Sequence, residues 1–247
     1  MLEVLRAAPA QLKIVIAGNH DITLDREYYE SHFKGERLED LDIAKKMWTG
    51  EEARKAGIIY LEEGISTLEC KNGARFTIYS SPYQPEFCDW AFPYRRDEDR
   101  FNPSKPVSKK KAANPVPDFP DVDIMLTHGP PHGILDMTSR GEAAGCEHLR
   151  RADRRCRPLL HCFGHIHEGW GAERMDWSTG KLHRLHFDER QVLQDRSAQI
   201  DLSDKGPNPL RFGEETMFIN AAIMNLRYQP TNAPWVVDVD LPMRGAE

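Results

Sequence analysis

Three apolar segments of the sequence each run into polar side chains that can bind metal or phosphate. The segments are KIVIA at 13–17, DIMLT at 123–127 and LLHCF at 159–163, and they lead into GNHD, HGPP and GHIHEG. In open α/β sheets, ligand sites gather beyond the carboxyl ends of the strands, so these three ends can converge on one locus. The metal donors at that locus would be Asn19, His128, His165 and His167.

The chemistry of these four donors favours a transition-metal site. One amide oxygen and three imidazoles suit Zn, Fe or Mn, whereas Mg and Ca prefer an all-oxygen shell. His165 and His167 would point to opposite sides of a continuing strand, but a turn beginning at Gly164 can direct each imidazole to a different ion. These donors can therefore coordinate two neighbouring ions more easily than a single ion.

Each donor also has a purely structural interpretation. A single histidine at a strand end is usually a hydrogen-bonded core or loop residue, and an Asn after Gly commonly forms a turn. Occurring together, the four residues favour ligands over separate structural roles. His132 is left out of the set, because a histidine in the middle of the following loop is more often a surface side chain.

The elements around these residues predict a layered α/β fold. Segments 13–17, 57–61, 75–79, 123–127, 159–163, 216–221 and 235–239 are apolar on mostly consecutive positions, as in strands buried on both faces. Charged, amphipathic stretches at 25–34, 38–55 and 142–155 predict surface helices. The polar stretches 95–120 and 172–213 predict surface excursions, the second with a hairpin around Leu182 and Leu185. The whole chain, 1–247, is interpreted as a single domain.

Composition narrows the class of protein. A net charge of −6 gives no reason to expect nucleic acid or an anionic membrane as partner. Five scattered cysteines without a C-x-x-C pair indicate a reducing compartment. The N-terminus lacks the apolar core of a signal peptide and no segment is long enough to span a membrane, so a cytoplasmic protein is expected.

In this order, the motifs GNHD, THGPPHG and GHIHEG resemble the signature of the calcineurin-like metallophosphoesterases. The segments SPYQPEFCDWAF at 81–92 and FINAAIMNLRYQPTNAP at 218–234 further resemble a subgroup of metallophosphoesterase-domain proteins related to cyclic-nucleotide phosphodiesterases. The resemblance implies that Asn19, His128 and His165 bind the second metal and that His167 binds the first.

The same resemblance implies the catalytic residues. His20 corresponds to the histidine that protonates the leaving alkoxide, and Asp21 is placed to hold or tune that imidazole. A histidine beside a carboxylate is suited to proton transfer near neutral pH, and general-acid help of this kind is worth roughly 10²–10⁴-fold in rate. Tyr83, Trp90 and Phe92 could stack on a nucleobase or aryl ester, or they could simply pack within the loop.

Two blocks that the family carries ahead of GNHD have no counterpart in residues 1–18. They are DxH, which serves the first ion, and GDxxD, which supplies a carboxylate shared by both ions. The resemblance therefore implies an αββα metallophosphoesterase sandwich that lacks its first strands and exposes backbone edges where they would pair. An incomplete gene model, a splice product or a fragment of an active enzyme is the plainest hypothesis.

Taken together, the sequence predicts a phosphoric ester hydrolase, either a phosphodiesterase or a phosphatase, that uses two divalent transition-metal ions (Mn, Fe or Zn). Its expected partner is a small phosphate ester, with a nucleotide as one candidate. The alternative is a non-catalytic module that keeps the fold and part of the metal cluster for binding.

Overall fold

The computed structural model describes residues 2–33, 37–103 and 111–241. Within these ranges the strands, numbered in chain order, are β1 Lys13–Val15, β2 Ile58–Tyr60, β3 Gly64–Glu69, β4 Arg75–Ser81, β5 Gln84–Pro85, β6 Pro93–Tyr94, β7 Ile124–Thr127, β8 Leu160–Phe163, β9 Gly171–Asp176, β10 Lys181–Arg184, β11 Ala198–Asp201, β12 Glu215–Asn220 and β13 Trp235–Asp238. The α-helices are α1 Leu2–Ala7, α2 Arg26–Phe33, α3 Glu39–Thr49, α4 Glu51–Lys55, α5 Glu147–Cys156 and α6 Glu189–Asp195. Short 3-10 turns occupy Ile22–Leu24 and His167–Gly169.

A seven-stranded mixed sheet in the order β10-β9-β12-β8-β7-β4-β3 forms the centre of the fold. Strands β4, β7, β8 and β12 are mutually parallel, so their carboxyl ends reach the same edge of the sheet. The antiparallel pairs β3–β4 and β9–β12 flank this block. The parallel block explains why residues following β7 and β8 can meet at one place.

Two smaller parallel pairs, β1–β2 and β11–β13, form a second layer against the main sheet. Ile14 and Ile16 pack on Phe76 and Ile78 of β4, and Ile200 packs in a separate core with residues of β8 and β12. Among the described residues, β1 has a hydrogen-bonded neighbour on one side only, and so does β13. Both strands therefore present an open backbone edge.

Helices cover the outer faces of the two layers. Helix α5 packs Leu149, Ala152 and Cys156 against Tyr79 and Met125 of the main sheet. On the opposite side, α3 and α4 contact β2. The resulting order is helix, sheet, sheet, helix, which confirms the predicted layered α/β sandwich. No helix in the described ranges combines the length and apolar character required to cross a membrane.

Several predicted boundaries were wrong. The single helix expected over 38–55 is interrupted at Gly50, whose backbone is extended with ψ at 179°, so it becomes α3 and α4. The helix expected from Glu142 begins at Glu147, because Cys146 caps its first turn by accepting a hydrogen bond from the Leu149 N–H. The edge strand β3, with its alternating half-buried and exposed residues, was not predicted.

The two polar stretches contribute more to the core than a surface excursion would. The stretch 172–213 contains the predicted hairpin, as β9 and β10, but β9 also pairs with β12 inside the main sheet. In the stretch 95–120, Phe101 and Val116 are fully buried. A high density of charges concealed these few apolar positions, which the tertiary packing selects.

Candidate metal centre

The loop that follows β1 positions the first donor. Asp21 accepts a hydrogen bond from the Gly18 N–H at 2.8 Å, and the Asp21 N–H donates to the Gly18 carbonyl at 2.9 Å. This tight turn holds the buried Asn19 side chain inward and leaves His20 exposed. In the described part of the chain Asp21 is hydrogen-bonded to this turn, and no hydrogen bond joins it to the His20 ring.

The structure brings Asn19, His128 and His165 together. Asn19 Oδ1 lies 2.7 Å from His128 Nε2, and the centres of the His128 and His165 rings are 4.7 Å apart. Two ligands of one transition metal, each about 2.1 Å from it, are themselves separated by roughly 3 Å. The three side chains are therefore close enough to share one cation.

Gly18 makes this approach possible. A Cβ at Gly18 would lie 2.6 Å from both Cε1 and Nδ1 of His128, which is well inside contact distance. The absence of a side chain lets the His128 ring lie directly against the backbone that carries Asn19. The glycine of GNHD is thus required for packing, beyond its role in the turn.

The two central imidazoles are kept neutral. Burial lowers the pKa of His128 well below its ordinary value, and His165, His20 and His167 lower it further. Burial lowers the pKa of His165 to about 4, with added contributions from His167 and His20. A neutral imidazole keeps one nitrogen lone pair that can bind a metal, and His128 would exchange the hydrogen bond from its Nε2 to Asn19 Oδ1 for such a contact.

The fourth predicted donor, His167, is oriented by a backbone carbonyl. Its Nδ1 lies 3.0 Å from the Asn225 carbonyl oxygen. A carbonyl can only accept, so Nδ1 carries the proton and Nε2 keeps a free lone pair. Histidines that bind metals are commonly held in this way by a backbone carbonyl. The contact explains how His167 could serve a second ion.

Backbone geometry at His165 separates these two imidazoles. His165 has a φ of +65°, and the Ile166 N–H turns back to the Gly164 carbonyl at 2.7 Å. The buried Asn220 anchors this turn, because its Nδ2 donates to the carbonyls of Ile166 at 2.9 Å and Leu135 at 3.0 Å. Asn220 therefore links the turn to the loop that carries Leu135.

Aromatic side chains flank the exposed His20. The ring centre of Trp90 lies 4.5 Å and that of Tyr228 6.0 Å from the His20 ring. The two other aromatic residues considered for stacking, Tyr83 and Phe92, pack edge to face in a core cluster instead. Of the three candidates in that loop, Trp90 is the one beside the centre.

A fully buried hydrogen-bond chain, which sequence reasoning missed, supports the loop that carries His128. Asp153 Oδ1 lies 2.7 Å from His161 Nδ1, and His161 Nε2 lies 2.9 Å from Thr127 Oγ1. The Thr127 hydroxyl donates to the Gly129 carbonyl at 2.7 Å. A histidine inside the apolar segment LLHCF was the available signal, since a polar residue there needs a buried partner.

Beside the donors lies a cavity of about 340 Å³. Its wall includes Asn19, His20 and His128, and its floor includes Leu126 and Cys162 from β7 and β8. No group of three or more His, Cys, Asp or Glu side chains with metal-binding geometry occurs in residues 2–33, 37–103 and 111–241. Two imidazoles and one amide therefore supply part of the ligand set of one cation. His167 alone does not complete the ligand set of a second.

Comparison with known proteins gives a consistent result. The family described as calcineurin-like phosphoesterase matches residues 2–169. Metallophosphoesterase domain-containing protein 1 of Homo sapiens is 30% identical over 245 residues, covering 97% of this chain and 59% of that protein. A UPF0046 protein of Caenorhabditis elegans is 34% identical over 169 residues, covering 64% of this chain and 39% of that protein.

A third relative is a probable rhamnogalacturonate lyase C of Emericella nidulans, 36% identical over 175 residues, or 70% of this chain. That match covers 14% of the fungal protein, so the activity in its name is not transferred to this chain. The chain spans about three fifths of the length of the human relative. Members of the matched family generally use a dinuclear divalent metal site. By the family match and the human relative, the chain belongs to the calcineurin-like phosphoesterase family.

Proposed function

We propose that this chain is a metal-dependent phosphoric ester hydrolase whose reaction takes place at the cavity beside Asn19, His128 and His165. The observation that carries the proposal is the convergence of these three neutral donors, with 2.7 Å between Asn19 Oδ1 and His128 Nε2 and 4.7 Å between the two imidazole rings. Family membership supports the same class of chemistry.

The proposed cofactors are two divalent transition-metal ions, Mn, Fe or Zn. Asn19, His128 and His165 would hold one ion, and His167 would contribute to the other. When bound, such ions polarise phosphoryl oxygens and neutralise the charge that develops on them. In the described residues these donors are not joined by enough His, Cys, Asp or Glu side chains to form a group of three or more that could hold a metal ion, so the proposal requires further ligands, in particular a shared carboxylate.

The proposed proton donor is His20. It lies at the exposed mouth of the cavity, where an incoming ester can reach it, and Trp90 and Tyr228 confine its ring. From this position His20 would transfer its proton to the leaving oxygen. Asp21 supports the role by fixing the turn that carries both Asn19 and His20.

The same aromatic pair bears on the substrate. Trp90 and Tyr228 line the approach to His20, and the Tyr228 side chain is 64% exposed. A flat leaving group could pack on such rings, which favours a small phosphodiester with an aromatic or nucleoside alcohol. A nucleotide is therefore one proposed substrate.

A second candidate is a non-catalytic module that uses the same fold to bind a partner. The specific observation in its favour is that the described part of the chain holds no group of three or more His, Cys, Asp or Glu side chains able to bind a metal ion. A cation held by neutral donors alone binds less tightly. A chain with such a site could therefore keep the fold and bind a partner without catalysing hydrolysis.

The two candidates are separated by hydrolysis of bis(4-nitrophenyl) phosphate with added Mn²⁺, combined with metal analysis of the purified chain. The hydrolase proposal expects turnover that falls roughly 10²–10⁴-fold in His20→Ala. His186→Ala, which replaces an exposed histidine outside the centre, is the matched control and should keep the wild-type rate. A folded chain without turnover, or full activity in His20→Ala, would contradict the proposed role of His20.

A further inference from the structure

A second concave surface lies on the outer face of the main sheet, between α5 and the β9–β10 hairpin. This groove has a volume of about 610 Å³. Three arginines of α5 line one wall, Arg150, Arg151 and Arg154, and Trp177 lies on the other. Glu147 is the one acidic residue among its lining side chains. The groove is thus basic on a chain whose net charge is −6.

Two of these arginines form no ion pair in the described ranges, although Asp153 and Glu173 lie close enough to interact electrostatically with Arg150. Arg151 pairs with Asp99, but Arg150 and Arg154 form no ion pair with any residue in the described ranges. The negative end of the helix dipole favours Arg154 in the last turn of α5, yet it does not account for Arg150 in the first half of the helix. Like charges four residues apart repel each other on a helix, and an anion bound between Arg150 and Arg154 would relieve that repulsion.

Arg150 is held in place by aromatic rings. Its guanidinium carbon lies 5.6 Å from the centre of the Trp177 ring and 5.8 Å from that of Phe218. Trp177 is itself fixed, because its indole N–H donates to Thr216 Oγ1 at 2.9 Å. Arg150 Nη1 is buried without a hydrogen-bond partner in the described part of the chain. The guanidinium is therefore preorganised but incompletely satisfied.

The groove is separate from the candidate metal centre. Strand β9 begins beside the metal-centre end of β12, where Gly171 pairs with Asn220, and finishes where Asp176 pairs with Glu215. Its six residues span about 17 Å, so Trp177 lies near the opposite end of the sheet from His167. A ligand in the groove would contact none of the proposed metal donors.

We propose that this groove binds the phosphate or pyrophosphate group of a small molecule, with Arg150, Arg151 and Arg154 as the anion ligands. A guanidinium group can donate two parallel hydrogen bonds to the oxygens of a phosphate. Three guanidinium groups on one helix face can therefore bind several phosphate oxygens at once. The Trp177 ring forms the wall opposite these donors and can pack against the rest of the ligand.

The test uses methylenediphosphonate, a hydrolysis-resistant probe, with the metal-free chain, followed by calorimetry and by tryptophan fluorescence. The wild-type protein should bind the probe saturably, and binding should weaken as salt increases. Arg154→Gln, a substitution of an exposed residue, should weaken binding about tenfold or more, and Arg150→Gln combined with Arg154→Gln should weaken it further. Trp177→Phe should remove most of the fluorescence change while calorimetry still detects binding.

Two controls locate the site. Arg190→Gln removes an exposed arginine of α6 outside the groove, and His165→Ala removes a donor of the metal centre; both should bind the probe like the wild type. The proposal is overturned if the wild-type chain does not bind the probe, if Arg154→Gln keeps wild-type affinity, or if His165→Ala alone abolishes binding. Since the groove and the centre are tested by different variants, failure of one proposal leaves the other standing.

Discussion

Gly18→Ala is the sharpest test of how the metal centre is packed. The added Cβ would lie 2.6 Å from Cε1 and Nδ1 of His128, whereas ordinary contacts between such atoms begin near 3.4 Å. Either the imidazole or the turn must therefore move by roughly 1 Å to restore a van der Waals separation of about 3.5 Å. His165 on the far side of the ring restricts where His128 can go.

The magnitude follows from this displacement. Overpacking of a confined site costs about 1–3 kcal/mol in the free energy of unfolding. The same shift would break the 2.7 Å contact between Asn19 and His128, and misplacing a metal ligand typically reduces affinity 10–100-fold. Gly18→Ala should therefore lower both the stability of the chain and its affinity for Mn²⁺.

Gly164→Ala provides the matched control within the same centre. A Cβ there would meet its nearest atoms, in Ala222, at 4.0 Å, which is ordinary contact. Urea unfolding and calorimetric titration with Mn²⁺ should show little change for this variant. If Gly18→Ala unfolded at the same urea concentration as Gly164→Ala and bound Mn²⁺ equally well, the steric argument for GNHD would be refuted.

Three further substitutions test the supports of the fold and the centre. Asn220→Asp replaces an amide that donates to two carbonyls with a carboxylate that can only accept. It should lower the free energy of unfolding in urea by about 1–3 kcal/mol for each lost hydrogen bond. Asn232→Asp, at a half-buried position of the following loop, is the control and should lower it by less. Burial alone would raise the pKa of Glu215, but hydrogen bonds, led by the one from Arg174, lower this pKa overall. The ionised Glu215 therefore stabilises the fold above the unfolded-state pKa of about 4.3, and this stabilisation is lost as the pH falls. The loss of stability in Glu215→Gln, measured at pH 7, should therefore become smaller near pH 3. Asp153→Asn replaces the carboxylate that contacts His161 Nδ1 in a fully buried hydrogen bond and should cost about 1–3 kcal/mol in urea unfolding; unchanged stability would contradict a stabilising role for this contact.

The sequence predicted the centre better than it predicted the surroundings. Apolar runs that end in polar residues describe parallel buried strands, because both faces are covered and the donors must follow the carboxyl ends. A turn between His165 and His167 was also predicted, but its positive φ lies at His165 and not at Gly164, on which the prediction was based. These features depend on local sequence and on one general property of α/β sheets.

Other features depend on contacts between distant segments. Nothing local shows that Asp153, within a helix of arginines, is fully buried against His161. The position of Trp90 beside His20 follows from how two loops meet, and the Ala91 N–H donates to the Asn19 carbonyl at 3.2 Å to fix that meeting. The groove beside α5 arises in the same way, because one wall comes from α5 and the other from the β9–β10 hairpin, which are separate in the sequence.

The charge of the donor set decides what the centre can do. Asn19, His128 and His165 are all neutral, so a divalent cation held by them would keep its full double charge. Such a cation is bound less tightly than one with a carboxylate ligand, but it attracts a phosphate anion more strongly. The open edges of β1 and β13 lie in the layer that carries the Asn19 loop, so a strand added there could bring a carboxylate close to the cation. Catalysis at two ions would still require further ligands for the ion that His167 serves, whereas binding of a single cation would not.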